Sequence, residues 1–195
     1  MNKGRIEAFS DGVIAIIITI MVLELKTPHG TTLAALTPLI PKLLSYLLSF
    51  IYVGIYWNNH HHLFHAVHQI RGAALWANLH LLFWMSVIPF VTGWMGENHF
   101  SEWPVIVYGL ILALNGFAFT LLAWVLVKEA GPGSTLAKAL GKDWKSRAST
   151  LVYLLAIGLA FVNPAISLTL YTMVAIIWFI PDRRIERALL NETKD

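Results

Sequence analysis

The chain has 195 residues, of which 57% are hydrophobic and only 13% charged, with a net charge of +3. Soluble domains run at about 45–50% apolar and about 25% charged, so the composition excludes an ordinary soluble domain and predicts an all-α membrane protein. Cysteine is absent, which removes disulfides, thiolate metal sites and thiol nucleophiles, and the small net charge gives no footing to nucleic acid as a partner.

The first predicted helix, 5–25, opens on Arg5-x-x-x-Phe9-Ser10-Asp11 and runs on through an apolar stretch broken once by Thr19. Arg, Ser and Asp at the edge of a bilayer are expensive, and the default reading of such groups is functional. Asp11 and the lack of a small-x-small cleavage site speak against a signal peptide, so the segment reads as a retained span. At about 100° per residue, Gly12, Ile16, Thr19 and Leu23 fall within an arc of about 60°. Two readings of that stripe stand open. It is a packing seam, where Gly and Thr let helices approach, or it is a pore face. In the second case several copies surround an axis, Ile16 and Leu23 form apolar constrictions, and Thr19 forms a ring of hydroxyls between them. Arg5, Ser10 and Asp11 need partners either way, because unpaired polar groups in the bilayer are costly.

The second predicted helix, 40–64, offers partners in the run Tyr56-Trp57-Asn58-Asn59-His60-His61-His62-Leu63-Phe64-His65. Trp57, His61, His65 and His68 share a face by helical spacing. Trp57 and His61 could clasp the base of the first helix. Alternatively, His61, His65 and His68 have a spacing that suits zinc or non-haem iron. A resident metal needs further ligands, and no Asp or Glu sits mid-span in the later helices, so at most an incidental site is expected and no cofactor. The third helix, 72–95, carries Asn78, His80 and Pro89. Its Thr92-Gly93 is not followed by Gly-Tyr-Gly, so it is no carbonyl filter and is expected to end the helix near the outer interface.

A fourth helix spans 103–127, followed by a loop at 128–147. The uncharged stretch from Ala148 to Pro181 is too long for one untilted span. Asn163-Pro164 in its middle predicts two helices, 148–162 and 165–181, joined by a tight turn. Asn115 and Asn163 read as interhelical hydrogen bonds. With six spans and both termini cytoplasmic, every one of the fourteen basic residues except Lys26 and Lys42 falls on the inner side. The prediction is therefore a single six-helix transmembrane domain over 1–195, multi-pass in the cell membrane, with loop 128–147 cytoplasmic.

The N-terminal motif, the Tyr56–Phe64 run and the Leu81-Leu82-Phe83 … Ile88-Pro89-Phe90 run together resemble the transmembrane-protein-175 family of potassium channels. The resemblance implies a passive potassium-selective channel, not an enzyme, that lacks a carbonyl filter loop. It implies a homotetramer of six-helix units, with the first helix of each lining a central pore. The family's constriction position falls on Ile16, its hydroxyl position on Thr19 and a further apolar ring on Leu23, with Gly12 on the same face. Arg5, Phe9, Ser10 and Asp11 are implied to be structural, tying the pore helix to Trp57 and His61. Potassium sheds water more readily than sodium at an apolar ring, and without a dense carbonyl cage the expected selectivity is moderate. A secondary transporter would show broken helices and repeat symmetry, and a membrane metalloenzyme would depend on the helix-two histidines. These are the competing expectations.

Overall fold

The structure, a computed structural model, describes residues 3–67, 70–131, 133–134, 136–137 and 144–179. Its regular elements are α1 (Lys3–Leu23), a 3-10 helix (Leu33–Leu39), α2 (Ile40–His65), α3 (Gly72–Glu97), α4 (Glu102–Ala130), α5 (Trp144–Ala160) and α6 (Pro164–Phe179). Backbone polar groups in lipid must be satisfied within the segment, and a helix does so. Among the described residues, four helices are long and apolar enough to cross a membrane: α1, α2 with the 3-10 helix leading into it, α3 and α4. Within the described residues the final two extend over 17 and 16 residues.

The bundle carries large apolar side chains on its outside and sets a few hydroxyl and amide side chains within an otherwise apolar core. Phe83, Phe90, Phe117, Trp124, Leu151 and Ile176 are exposed, whereas Ser49, Thr92, Asn115 and Ser167 are buried. Lipid is as apolar as leucine, so interhelical hydrogen bonds and close packing hold such a bundle rather than burial of grease. Accordingly, Ser49 Oγ lies 3.0 Å from Tyr108 Oη and 2.7 Å from Thr92 Oγ1, which joins α2, α4 and α3. Tyr52 Oη donates to the Tyr171 carbonyl at 2.7 Å and accepts from Tyr153 at 3.3 Å, joining α2 to α6 and α5. Helix α3 packs on α1, α2 and α4; α4 packs on α5 and α6; and α2 also meets α6. Helix α1 therefore lies at one edge of the protomer, held by α3 and α2.

Several details differ from the sequence reading. Thr92-Gly93 does not end α3, which runs on to Glu97. The Thr92 hydroxyl, 2.7 Å from both the Ile88 carbonyl and Ser49, is buried between helices instead. Asn115 Nδ2 does bond across to α3, at the Trp84 carbonyl. Asn163 does not bridge helices: its Oδ1 accepts the Ala165 amide at 2.9 Å and starts α6 after the turn. The segment expected as loop at 128–147 is shorter at both ends, since α4 extends to Ala130 and α5 begins at Trp144. Glu129 has a role that local pattern does not reveal. Its carboxylate accepts the Arg71 and Ala74 amides, at 3.0 and 3.3 Å, and so caps the α3 N-terminus.

At the opposite end, Lys42 on α2 pairs with Glu97 on α3 at 2.8 Å. Gly96 is what allows this approach. A Cβ there would stand 2.8 Å from Lys42 Cα and would collide with Ser45 Oγ. Backbone cannot yield as a side-chain tip does, so Gly96→Ala is expected to cost about 1–3 kcal/mol and lower the Tm by at least about 3 °C. Gly158→Ala, which meets nothing within 4 Å, should melt with the parent. Thermal unfolding in detergent checks both.

Candidate functional site

Helix α1 has two faces of opposite character. Ile6, Ser10, Ile14, Ile17 and Met21 are buried against α2 and α3. On the opposite side Gly12, Ile16, Thr19 and Leu23 are exposed, Ile16 by 58% and Leu23 by 78%. The stripe singled out by spacing is thus the side of α1 that its own protomer leaves uncovered. Thr19 Oγ1 donates to the Ile16 carbonyl at 2.8 Å. Its proton is thereby committed to the backbone, and the hydroxyl oxygen turns its lone pairs outward.

Two polar links near the start of the helix fix its rotation. Asp11 Oδ1 accepts the Trp57 indole N–H from α2 at 3.0 Å. Ser10 Oγ accepts from Asn78 Nδ2 on α3 at 2.9 Å, and Asn78 Oδ1 accepts from His60 Nε2 on α2 at 2.8 Å. A carbonyl oxygen can only accept, so His60 carries its proton on Nε2. Ser10, Asn78 and His60 are each at most 2% exposed. They form one closed chain through α1, α3 and α2.

The residues expected to tie α1 down therefore divide. Asp11 and Trp57 are brought together, whereas Ser10 meets Asn78 on α3 rather than a group on α2. His61 is not the histidine that reaches α1; His60 is, through Asn78. A single helical residue step turns a side chain by about 100°, and this phase puts His60 inward and His61 out, stacked on Trp57 with ring centroids 6.5 Å apart. Phe9 and Arg5 do not tie α1 to α2 within the protomer. Both are exposed, and among the described residues Arg5 makes no hydrogen bond or ion pair. Positions 5 and 9 lie on the same side of the helix as 12 and 16, away from α2 and α3. Asn78 is the functional residue whose weight the sequence reading missed.

The histidine face does not assemble into a metal site among the described residues, where no group of three or more His, Asp or Glu could hold an ion. Helix α2 ends at His65, whose ring centroid is 6.0 Å from that of His61; His68 lies outside the described residues.

The chain matches the family model described as "Endosomal/lysosomal potassium channel TMEM175" over residues 5–89, the span that contains most of α1, α2, most of α3 and the whole Ser10–Asn78–His60 chain. A potassium channel of Chryseobacterium sp. (strain P1-3) is 52% identical over 97% of this chain and 98% of its own. One from Streptomyces collinus is 32% identical over 90% and 91%. The crystal structure of a lysosomal potassium-selective channel TMEM175 homolog from Chamaesiphon minutus superposes with a TM-score of 0.80 at 31% identity, covering 92% of this chain and 97% of that one. The family-model match, whole-length identity and matching helical architecture agree: this chain belongs to the TMEM175 family.

Proposed function

We propose that the protein is a potassium channel whose pore forms where α1 helices of four copies meet around an axis. The single observation that carries the reading is the orientation of α1. The polar links at Ser10 and Asp11 lock one face inward and leave Gly12, Ile16, Thr19 and Leu23 facing away from the protomer. A second copy of the same stripe is the natural neighbour of that face. Ile16 then forms the constriction, Leu23 an outer apolar ring, and the outward oxygen of Thr19 replaces part of the ion's hydration between them. No carboxylate lies on this stripe, so discrimination comes from the cost of shedding water, and potassium over sodium selectivity is moderate. No cofactor is involved.

The chain acts in the cell membrane as one six-helix domain over 1–195, with both termini cytoplasmic by the distribution of lysine and arginine. Arg183, Arg184, Arg187 and Lys194, on which that orientation partly depends, lie outside the described residues. Helices α5 and α6 cross as a hairpin turned at Asn163-Pro164.

Because the chain has no cysteine, substituted cysteines report position without background. Thr19→Cys in proteoliposomes should lose most of its passive potassium flux to a water-soluble thiol reagent, while Leu151→Cys on the exposed side of α5 should lose none. Particle mass should correspond to four chains. A monomeric particle, or thiol block at Leu151→Cys with none at Thr19→Cys, would overturn the reading.

A further inference from the structure

Helices α4 and α5 pack together on the side of the protomer remote from α1. Thr120 Oγ1 on α4 and Ser146 Oγ on α5 lie 2.9 Å apart and set the register of this seam. Deeper in the bundle than that pair, Phe117 and Leu110 on α4 and Leu151 and Leu154 on α5 are exposed, an apolar surface for acyl chains. On the other side of it stand two cations. Lys128 leans back one turn of α4, its Nζ 5.2 Å from the ring centroid of the exposed Trp124. Arg147 follows Ser146 on α5 and is exposed. Neither makes an ion pair among the described residues. Their own helices offer them no carboxylate: over the described residues α4 and α5 carry only Glu102, at the far end of α4, and Glu129, which is taken by the Arg71 and Ala74 amides. A lysine stem laid on an indole is the arrangement found where a helix leaves the hydrocarbon for the headgroups.

We infer that the α4–α5 seam binds an anionic phospholipid of the adjoining leaflet, its phosphate held by Lys128 and Arg147 and its acyl chains laid along Phe117 and Leu151. From the end of the bundle inward, the seam presents cations, an indole, a hydroxyl pair and bare apolar side chains. A phospholipid presents the matching sequence from phosphate through glycerol to tail. The arginine fork suits phosphate oxygens, and the lysine adds a point charge. A zwitterionic lipid brings its own ammonium group, which the two cations repel, so the seam discriminates by net headgroup charge. A soluble anion would fill only the charged half and leave the apolar half unused. The inference rests on α4 and α5 crossing the bilayer, as proposed above, and needs no pore.

The test uses the full chain in phosphatidylcholine liposomes that contain a little nitroxide-labelled lipid, either phosphatidylglycerol or phosphatidylcholine, with the nitroxide on the acyl chain. Because the chain has no cysteine, Phe117→Cys carries a single fluorophore beside the seam. Ile176→Cys, exposed on α6 toward the same end of the bundle, carries it elsewhere. At Phe117→Cys the labelled phosphatidylglycerol should quench at a mole fraction roughly threefold or more lower than the labelled phosphatidylcholine. At Ile176→Cys the two lipids should quench alike. Lys128→Gln with Arg147→Gln should remove the preference while quenching at Ile176→Cys stays unchanged, and Lys128→Arg should keep it. Equal quenching by the two lipids at Phe117→Cys overturns the site. So does an equal preference at Ile176→Cys, which would be general enrichment of anionic lipid around a basic protein. A preference that survives both glutamines overturns the assignment of the cations. Loss of the preference on adding millimolar glycerol phosphate would make the ligand a soluble anion and overturn the lipid. Absence of quenching by either lipid at both positions would instead overturn the membrane reading on which the site depends.

Discussion

Ile16→Asn is expected to reduce potassium-over-sodium permeability in reconstituted channels by roughly threefold or more, equivalent to about 0.6 kcal/mol of lost discrimination. The argument is one of hydration. In the proposed pore, a ring of four sec-butyl groups would offer an ion no oxygen, so passage would require dehydration, and sodium holds its water more tightly than potassium. Four amides at the same level supply oxygens and nitrogens that keep the ion partly solvated. The barrier then falls for both ions, and falls more for sodium. Because Ile16 is exposed in the protomer, the substitution disturbs no internal packing, and a change in permeation reads directly on the pore. Bi-ionic reversal potentials measure it. An unchanged potential ratio would mean that Ile16 is not the constriction.

Asn78→Ala should be the most damaging single change to the anchor, and His61→Ala close to silent. An interhelical hydrogen bond in a membrane contributes on average only about 0.6 kcal/mol, so two lost bonds alone would be modest. Most of the damage comes from the groups left behind. His60 and Ser10 are at most 2% exposed, and each would keep a buried polar atom with no partner, at about 1–3 kcal/mol apiece. A total near 3 kcal/mol corresponds to a fall in Tm of about 6 °C or more, with His61→Ala within about 2 °C of the parent. Differential scanning fluorimetry in detergent decides it. If Asn78→Ala melts with the parent, or His61→Ala melts as low as Asn78→Ala, the anchor has been assigned to the wrong groups. Any Asn78→Ala channel that assembles should also lose selectivity, because α1 is then freer to rotate.

What could be read from the sequence follows from where the physics is local. The stripe on α1 was legible because Gly12, Ile16, Thr19 and Leu23 recur at helical spacing beside Ser10 and Asp11, polar groups that had to be satisfied. The family followed from the same residues. The choice between His60 and His61 was not legible, since apolar residues surround α2 on all sides and give no phase. A usable signal did exist in the small and polar residues of that helix: Ser45, Ser49, Tyr52, Tyr56 and His60 recur at helical spacing, and all five are buried. In a bilayer the polar stripe marks the inside. Thr92 belongs to that class too, which is why its reading as a helix end failed. Glu129 was beyond local pattern altogether, because it caps a helix whose N-terminus lies 58 residues earlier in the chain.

The order in which these partners are made has a consequence for biogenesis. Synthesis delivers Ser10 long before Asn78, which follows 68 residues later. Helix α1 therefore keeps Asp11 unmatched until α2 brings Trp57, and Ser10 unmatched until α3 brings Asn78. Nascent chains halted before α2, with both groups unmatched, should be caught by quality control more readily than those halted between α2 and α3, and the docking of α1 becomes a checkpoint for completing the subunit.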